Sequence, residues 1–396
     1  MIFSDPRTAR TINRLRVLNG VYQYETISRA GLSRELVINK VSISEIVSAL
    51  LTEGLIEEAG KVSGAVGRQP IMLRIVKQAK YVLCIDIGLK NTVLGISNML
   101  GELVRFERSP TPNFLDPDDL ADYIAGAVQK LTGRFKSPER ILGCAVSLHA
   151  SIDSEKGILI HAPDWGWENI NLYKLINKRL KLPIIVDSNV RSMLLAERWF
   201  GDIDPDKTVF YINWGQKIGS AQMSGNTILS ANSEFGHTPV TIQKSCFCGK
   251  TGCLEAAAGG WSLQEQGNLI LGTFDKTVRQ LYKHRDTHPE LAALFRDAAV
   301  SMGQSAAFAA NIVSPDTIVI GGGLSVIDDL YFRIMNETFS LYAAPRTRSK
   351  PSLLIVRSKL GDRAGILGAA ALGLNAFMYK RSQLDTLSAS GSAFSM

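Results

Sequence analysis

The sequence lacks any hydrophobic run long enough to cross a membrane. No stretch approaches the roughly 18 to 20 consecutive apolar residues that a spanning helix needs. The first residues, Met-Ile-Phe-Ser-Asp-Pro-Arg, do not contain the apolar segment of a signal peptide. With 396 residues, of which 45% are hydrophobic and 20% charged, the chain has room for two or three globular domains. We therefore expect a cytoplasmic protein with no membrane contact.

Cysteine is also scarce, with five residues in the chain. Two of them, Cys84 and Cys144, lie in apolar runs and are expected in the core, so nothing suggests a disulfide framework. The other three follow a histidine within a short segment, and one His with three Cys makes a complete tetrahedral zinc shell. We predict a structural Zn²⁺, with buried free thiols as the alternative. The predicted ligands are His237, Cys246, Cys248 and Cys253.

Acidic residues are few near the N-terminus. Residues 1–80 contain 12 Lys or Arg against 7 Asp or Glu, which accounts for +5 of the total net charge of +7. A basic module on a nearly neutral body is typical of a nucleic-acid binder. Charge alone would equally describe a solvated basic surface, so the pattern of residues has to decide.

That pattern predicts a winged helix-turn-helix. Helices are expected up to about Gly20, over 27–36 and over 41–51, followed by strands at 55–58 and 71–75. The third helix carries one apolar face and one face of small polar residues, which permits close approach to DNA. The predicted DNA contacts in this region are Arg34, Ser42, Ser44, Glu45 and Ser48.

Two motifs resemble those of a known family. Glu-x-Gly-His at 234–237, followed by Cys-x-Cys-Gly-x-x-Gly-Cys-x-Glu at 246–255, resembles the signature of the ROK family of bacterial sugar kinases and sugar-responsive repressors. Gly-Arg-x-Pro at 67–70 resembles the wing of the family's repressors, where Arg68 would enter a minor groove. An interdomain salt bridge is the alternative role for Arg68.

The resemblance implies an α/β architecture in which two actin-like ATPase domains flank a cleft. We expect the winged helix-turn-helix at 1–78 and a first subdomain at 79–190 that a C-terminal helix at 374–382 completes. The second subdomain, with the zinc motif, is expected at 191–373. Residues 383–396 are expected to form a flexible tail.

The resemblance also implies a sugar site. Glu234, His237 and Glu255 match the family's sugar contacts, and Asn189 and Asp164 are further candidates. His237 would bind the metal through one ring nitrogen and a sugar hydroxyl through the other. Trp165 and Trp167 suit either stacking on a sugar ring or packing in the core.

The residues that the family's kinases use for catalysis differ here. Those kinases have an Asn-Asp pair before a helix, and its aspartate is the general base; the ungapped alignment gives Ser188-Asn189. An amide cannot take up a proton at neutral pH, although a shift that aligned Asp187 would restore a carboxylate. Leu89 and Lys217 replace phosphate-loop residues, and their side chains obstruct the close backbone approach that phosphate needs.

The sequence therefore predicts a non-enzymatic, sugar-responsive repressor of carbohydrate uptake or catabolism genes. Its partners would be a double-stranded DNA operator and a mono- or phosphosugar effector, and it would act as a homodimer or homotetramer. The main alternative is an active ATP-dependent ROK sugar kinase with an N-terminal accessory domain. A repressor that responds to a protein partner through the zinc-bearing surface is a third possibility.

Overall fold

A computed structural model describes residues 6–61, 69–229, 233–241, 243–326, 328–345 and 353–380. The chain divides into two units. Unit 1 contains Met1–Leu148, Asp153–Asp187 and Ala369–Met396, and unit 2 contains His149–Ile152 and Ser188–Gly368. The expected boundary at residue 78 does not separate the units, because the N-terminal module belongs to unit 1.

Three helices and a three-stranded antiparallel sheet form the N-terminal module. Its elements are α1 (Pro6–Gln23), β1 (Ile27–Ser28), α2 (Arg29–Leu36), α3 (Lys40–Thr52), β2 (Ile56–Lys61) and β3 (Ile71–Ile75), with strand order β1-β3-β2.

Two sequence expectations need correction here. Helix α1 extends beyond Gly20 to Gln23. The second helix does not begin at Ile27, because Ile27 pairs with Leu73 in the sheet. Ser28 instead caps α2, its Oγ accepting a hydrogen bond from Gly31 N at 3.1 Å.

The rest of unit 1 is built on a mixed sheet with strand order β11-β7-β4-β5-β6. β4 and β5 form an antiparallel hairpin, and β7 lies parallel to β4. The fully buried Leu120 and Ile124 attach helix α4 to the core. The elements from residue 81 to residue 188 are β4 (Tyr81–Ile87), β5 (Asn91–Asn98), β6 (Leu103–Pro110), α4 (Pro117–Gly133), β7 (Ile141–Leu148), β8 (Ser151–Asp153), β9 (Ile158–Ala162), β10 (Trp167–Asn171), α5 (Leu172–Asn177) and β11 (Ile184–Ser188). Strand β8 contains the boundary between unit 2 and unit 1, after Ile152.

Unit 2 repeats this plan with strand order β14-β13-β12-β15-β16. β12 and β13 form the antiparallel hairpin, and β15 lies parallel to β12. The two similar halves agree with the expected α/β architecture. The elements are α6 (Asn189–Phe200), β12 (Thr208–Trp214), β13 (Ile218–Ser224), β14 (Thr227–Ile228), α7 (Leu254–Ala258), α8 (Gly260–Leu271), α9 (Val278–Tyr282), α10 (Pro289–Val313), β15 (Thr317–Gly321), α11 (Asp329–Tyr342), β16 (Leu354–Arg357) and α12 (Ala364–Leu374), which belongs to unit 1 from Ala369 onward.

A C-terminal turn, Asn375–Tyr379, follows α12 and contacts the N-terminal module within unit 1. Tyr379 is fully buried, and its hydroxyl donates a hydrogen bond to Met99 O at 3.0 Å. Asn19 Nδ2 on α1 donates to Tyr379 O at 2.9 Å, and the rings of Tyr22 and Tyr379 lie 4.9 Å apart. The first helix is therefore attached to the last described turn of the chain.

None of the helices in the described ranges combines the length and the hydropathy that a membrane span requires.

Candidate functional site

The predicted zinc ligands come together in unit 2. The candidate ligand atoms of His237, Cys246, Cys248 and Cys253 all lie within 4.8 Å of one another. Cys248 Sγ and Cys253 Sγ are 3.7 Å apart, as are Cys246 Sγ and His237 Nδ1. A disulfide needs about 2.05 Å between its sulfurs. Zinc–sulfur bonds of about 2.3 Å in a tetrahedron place sulfurs about 3.8 Å apart. The cluster therefore fits a four-coordinate metal ion.

Tight backbone turns build this cluster. Gly249 and Gly252 have φ angles of 84° and 91°, which favour glycine. Cys246 N donates a hydrogen bond to Lys250 O at 2.8 Å and so closes the first turn. A hydrogen bond from the backbone N–H of Lys250 lowers the pKa of the Cys248 thiol, whereas burial raises the pKa of the Cys246 and Cys253 thiols. Without a bound cation, the protein surroundings therefore favour the thiolate form that metals bind only at Cys248.

The two carboxylates of the motif have different surroundings. The side chain of Glu234 is 76% exposed, and its Oε2 lies 3.8 Å from His237 Nε2. Since His237 Nδ1 faces a cysteine sulfur, Nε2 and Glu234 remain for other contacts. Glu255 is only 2% exposed. Its two oxygens accept hydrogen bonds from Ile218 N at 2.7 Å and Trp261 Nε1 at 2.8 Å, so Glu255 fixes neighbouring elements.

The start of β13 connects the predicted sugar contacts. A Cβ added at Gly236 would lie 2.5 Å from Ile218 O, and one added at Gly219 would lie 2.7 Å from Val190 Cγ2. These close approaches bring the turn of His237 and the first turn of α6 against the same short segment. Asn189 therefore lies on an element next to the motif. Asp164 belongs to unit 1, where it is exposed in the turn between β9 and β10.

Asn189 begins α6, directly after the capping residue Ser188. It is 8% exposed, and its Nδ2 lies 3.4 Å from His149 Nδ1. Sequence reasoning missed His149. The available signal was its place immediately after β7, because ligands of α/β proteins bind at the carboxyl ends of parallel strands.

The loop between β12 and β13 is held by protein contacts. Gly215 O accepts a hydrogen bond from Gly260 N at 3.0 Å, and Gln216 O accepts one from Trp261 N at 3.1 Å. Lys217 Nζ lies 4.0 Å from the ring centre of Phe247, a cation–π contact with the Cys motif. The start of α8 and the Cys motif thus both support this loop.

In unit 1, Asp86 lies near the end of β4 and is partly buried. Ser147 Oγ donates a hydrogen bond to Asp86 Oδ1 at 3.0 Å. Removal from water raises the pKa of Asp86 to about 6, although the Ser147 hydrogen bond and the charge of Arg108 act in the opposite direction.

The tryptophans of the same unit pack together. Trp167 is 8% exposed, and its ring lies 5.0 Å from that of Trp165, which also contacts Phe114 at 5.8 Å. These contacts favour the packing role over sugar stacking.

The predicted DNA contacts lie on differently exposed positions. Ser44, Glu45 and Ser48 are exposed on α3, whereas Ser42 is half-buried on its flank. Arg34 is exposed near the end of α2. Arg68 lies outside the described residues. Sequence reasoning did not single out Val41 on α3, which is 69% exposed.

Two α/β units built on hairpin-plus-parallel sheets, with a Cys/His cluster in the second, define a protein of the sugar-kinase-like class. The sequence profile of the ROK family matches residues 82–376, and the chain belongs to this family. This match confirms the resemblance stated above.

Known relatives differ in how much of the chain they match. The xylose repressor of Caldicellulosiruptor bescii is 26% identical over 92% of this chain and 95% of its own length. The glucokinase of Halalkalibacterium halodurans is 29% identical, but over 74% of this chain and 94% of its own length. A solved structure of a ROK family transcriptional regulator, a homolog of E. coli MLC protein, has a TM-score of 0.80 at 22% identity. It covers 95% of this chain and 99% of the solved chain.

Proposed function

We propose that this protein is a cytoplasmic, sugar-responsive repressor. It binds a double-stranded operator through its N-terminal module, a winged helix-turn-helix, and it releases the operator when its ROK body binds a mono- or phosphosugar. The observation that carries this proposal is the match of a repressor over 92% of the chain, whereas the glucokinase match covers 74%. The additional coverage includes residues that precede the ROK family match.

Residues 1–80 support the DNA-binding part of the proposal. They hold +5 of the total charge of +7, and charge of this sign attracts the phosphate backbone. The buried face of α3 includes the fully buried Ile43, Val47 and Leu50. The opposite face of α3 does not pack against the core. A helix that enters a major groove needs such an exposed face.

The absence of kinase activity is the second part of the proposal. Asn189 stands at the base position, and an amide accepts a hydrogen bond from a sugar hydroxyl without removing its proton. The loop at Gln216 and Lys217 is engaged with α8 and Phe247. A sugar would therefore be bound and not phosphorylated.

The metal ion of the Cys/His cluster is proposed to be a structural Zn²⁺. One imidazole and three thiolates match the ligand preference of zinc, and four protein ligands leave no open coordination position for chemistry. Bound zinc would hold His237 with Nε2 directed toward Glu234. Glu234, His237 and Asn189 are then the proposed direct sugar contacts, with Glu255 positioning them.

Binding-site selection from a randomised duplex library, followed by fluorescence anisotropy, tests the proposal. The full-length protein should enrich one pseudo-palindromic duplex, since a homodimer or homotetramer presents two related readers. A panel of hexoses, pentoses, amino sugars and their phosphates should contain at least one compound that releases the duplex. Enrichment without release by any sugar would remove the effector part.

His149 is the observation that favours an active kinase as the second candidate function. Its imidazole lies beside Asn189, and histidine is the most common general base in enzymes. A coupled ADP-release assay over the same sugars decides between the candidates. Turnover that disappears in His149→Gln would establish the kinase, whereas the repressor proposal expects no turnover in either protein.

A further inference from the structure

Helix α3 exposes an apolar residue at the centre of the face that would meet DNA. Val41 precedes the fully buried Leu50 by nine residues, and nine steps of about 100° place them on opposite sides of the helix. Val41 is 69% exposed, and Val37, in the turn before α3, is 90% exposed. Apolar surface therefore lies where a purely solvent-facing helix would favour polar residues.

The serines beside Val41 form hydrogen bonds with residues at the start of α3. Ser44 Oγ donates a hydrogen bond to Lys40 O at 2.8 Å, which uses its single proton. Ser42 N donates to Asn39 Oδ1 at 2.8 Å, so the first turn is capped. The side chain of Val41 can offer only an apolar contact.

The chemistry of the major groove supplies one apolar group, the C5-methyl of thymine. The net positive charge of residues 1–80, together with exposed Arg34 and Lys40, complements the charge of DNA. On the basis of the DNA-binding function proposed above, we propose that Val41 is a specificity-determining residue that packs against a thymine methyl in each half-site. Phosphate contacts would set the position of α3, and Val41 would select the base.

Replacement of thymine by deoxyuridine tests this contact, because it removes the methyl and leaves base pairing intact. In the duplex enriched by selection, each dT is replaced singly and binding is measured by anisotropy at fixed salt. We expect one dT per half-site whose replacement weakens binding about fourfold, the effect of one buried methyl-sized group. Val41→Ala should weaken binding of the parent duplex by a similar factor and lose its sensitivity to deoxyuridine at that position alone.

Val41→Ala is expected to fold, since the residue is exposed and alanine is the best helix former. Thermal unfolding by circular dichroism checks this directly. Val104→Ala is the matched control, because Val104 is 44% exposed on β6, outside the N-terminal module. The control should bind the parent and the deoxyuridine duplexes as the wild type does.

Each other outcome has a distinct meaning. If Val41→Ala keeps the full deoxyuridine effect, or if no dT is sensitive, the contact is disproved while DNA binding stands. If the library yields no enriched duplex, the DNA-binding function itself is overturned, and the thymine contact with it.

Discussion

At the residue scale, the proposed lack of kinase activity depends on the Asn189 side chain. Changing its amide to a carboxylate would supply a proton acceptor next to His149, but it would leave the engaged loop at Gln216 and Lys217 unchanged. Asn189→Asp should therefore change sugar affinity more than it creates turnover. Isothermal titration and the ADP assay on the same variant separate these two effects.

The partly buried Asp86 predicts a pH dependence of stability. Its pKa is raised from 3.8 to about 6 in the folded protein. The stability that its protonated form contributes is fully present below pH 3.8 and is lost as the pH rises through about 6. Asp86→Asn should remove this loss and add about 3 kcal/mol to the free energy of unfolding at pH 7, since each unit of pKa difference corresponds to about 1.4 kcal/mol.

Urea unfolding at several pH values between 4 and 7 measures the effect. Asp206→Asn, at an exposed aspartate, is the matched control and should follow the wild-type curve. Parallel curves for wild type and Asp86→Asn would show that the carboxyl titrates normally in the folded state.

The four-ligand cluster predicts the response to cysteine substitution. Cys248→Ser should reduce bound zinc from about one ion per chain toward zero, since a complete shell needs all four ligands. Cys144→Ser changes a buried thiol outside the cluster and should retain the metal. Elemental analysis after dialysis measures both. Equal metal content in the two variants would contradict the ligand assignment.

The roles of some residues could be predicted from the sequence, and those of others could not. The proximity of the four Cys/His side chains was predictable because these residues lie close along the chain and are of the types that bind zinc. The contacts of Glu255 with Ile218 N and Trp261 depend on tertiary packing, so its positioning role could not be read from the motif. The contact of His149 with Asn189 also depends on tertiary packing, although the position of His149 directly after β7 could have marked it as a candidate.

At the element scale, the end of helix α2 carries backbone strain. Val37 has φ 52° and ψ 46°, the left-handed conformation, which is costly for a β-branched residue. Val37→Gly should therefore stabilise the protein by about 1 kcal/mol. The opposite change at Gly54, where φ is 68° and no atom lies near an added Cβ, should destabilise it: Gly54→Ala is the matched control. Thermal unfolding that shows no gain in Val37→Gly would mean that the turn relaxes around valine.

Helix α3 and strand β1 show what the spacing of apolar residues can and cannot predict. The apolar spacing of α3 correctly predicted its buried face, and the helix extends one residue beyond each predicted end. The pairing of Ile27 with Leu73 was not foreseen, because a two-residue strand has no periodic signal and depends on a distant partner.

At the scale of the whole molecule, the Tyr379 contacts attach the N-terminal module to the rest of unit 1. Tyr379→Phe removes the hydrogen bond to Met99 O and leaves a buried carbonyl with one partner fewer, at a cost of about 1 to 2 kcal/mol. We expect reduced hydrogen-exchange protection of the amides in α1. Tyr342→Phe, at a 48% exposed tyrosine, is the control. Unchanged protection in Tyr379→Phe would show that ring packing with Tyr22 is sufficient.

The separation of Cys248 and Cys253 has a practical consequence for handling the protein. Two sulfurs 3.7 Å apart need to approach by less than 2 Å to reach disulfide length. If a chelator strips the metal in air, oxidation would join these thiols and prevent metal from returning. In such a preparation the N-terminal module would be intact, but the disulfide would hold the Cys/His cluster in one conformation. The protein would then behave as a repressor that no sugar releases from DNA. Addition of a reductant together with zinc should restore the response.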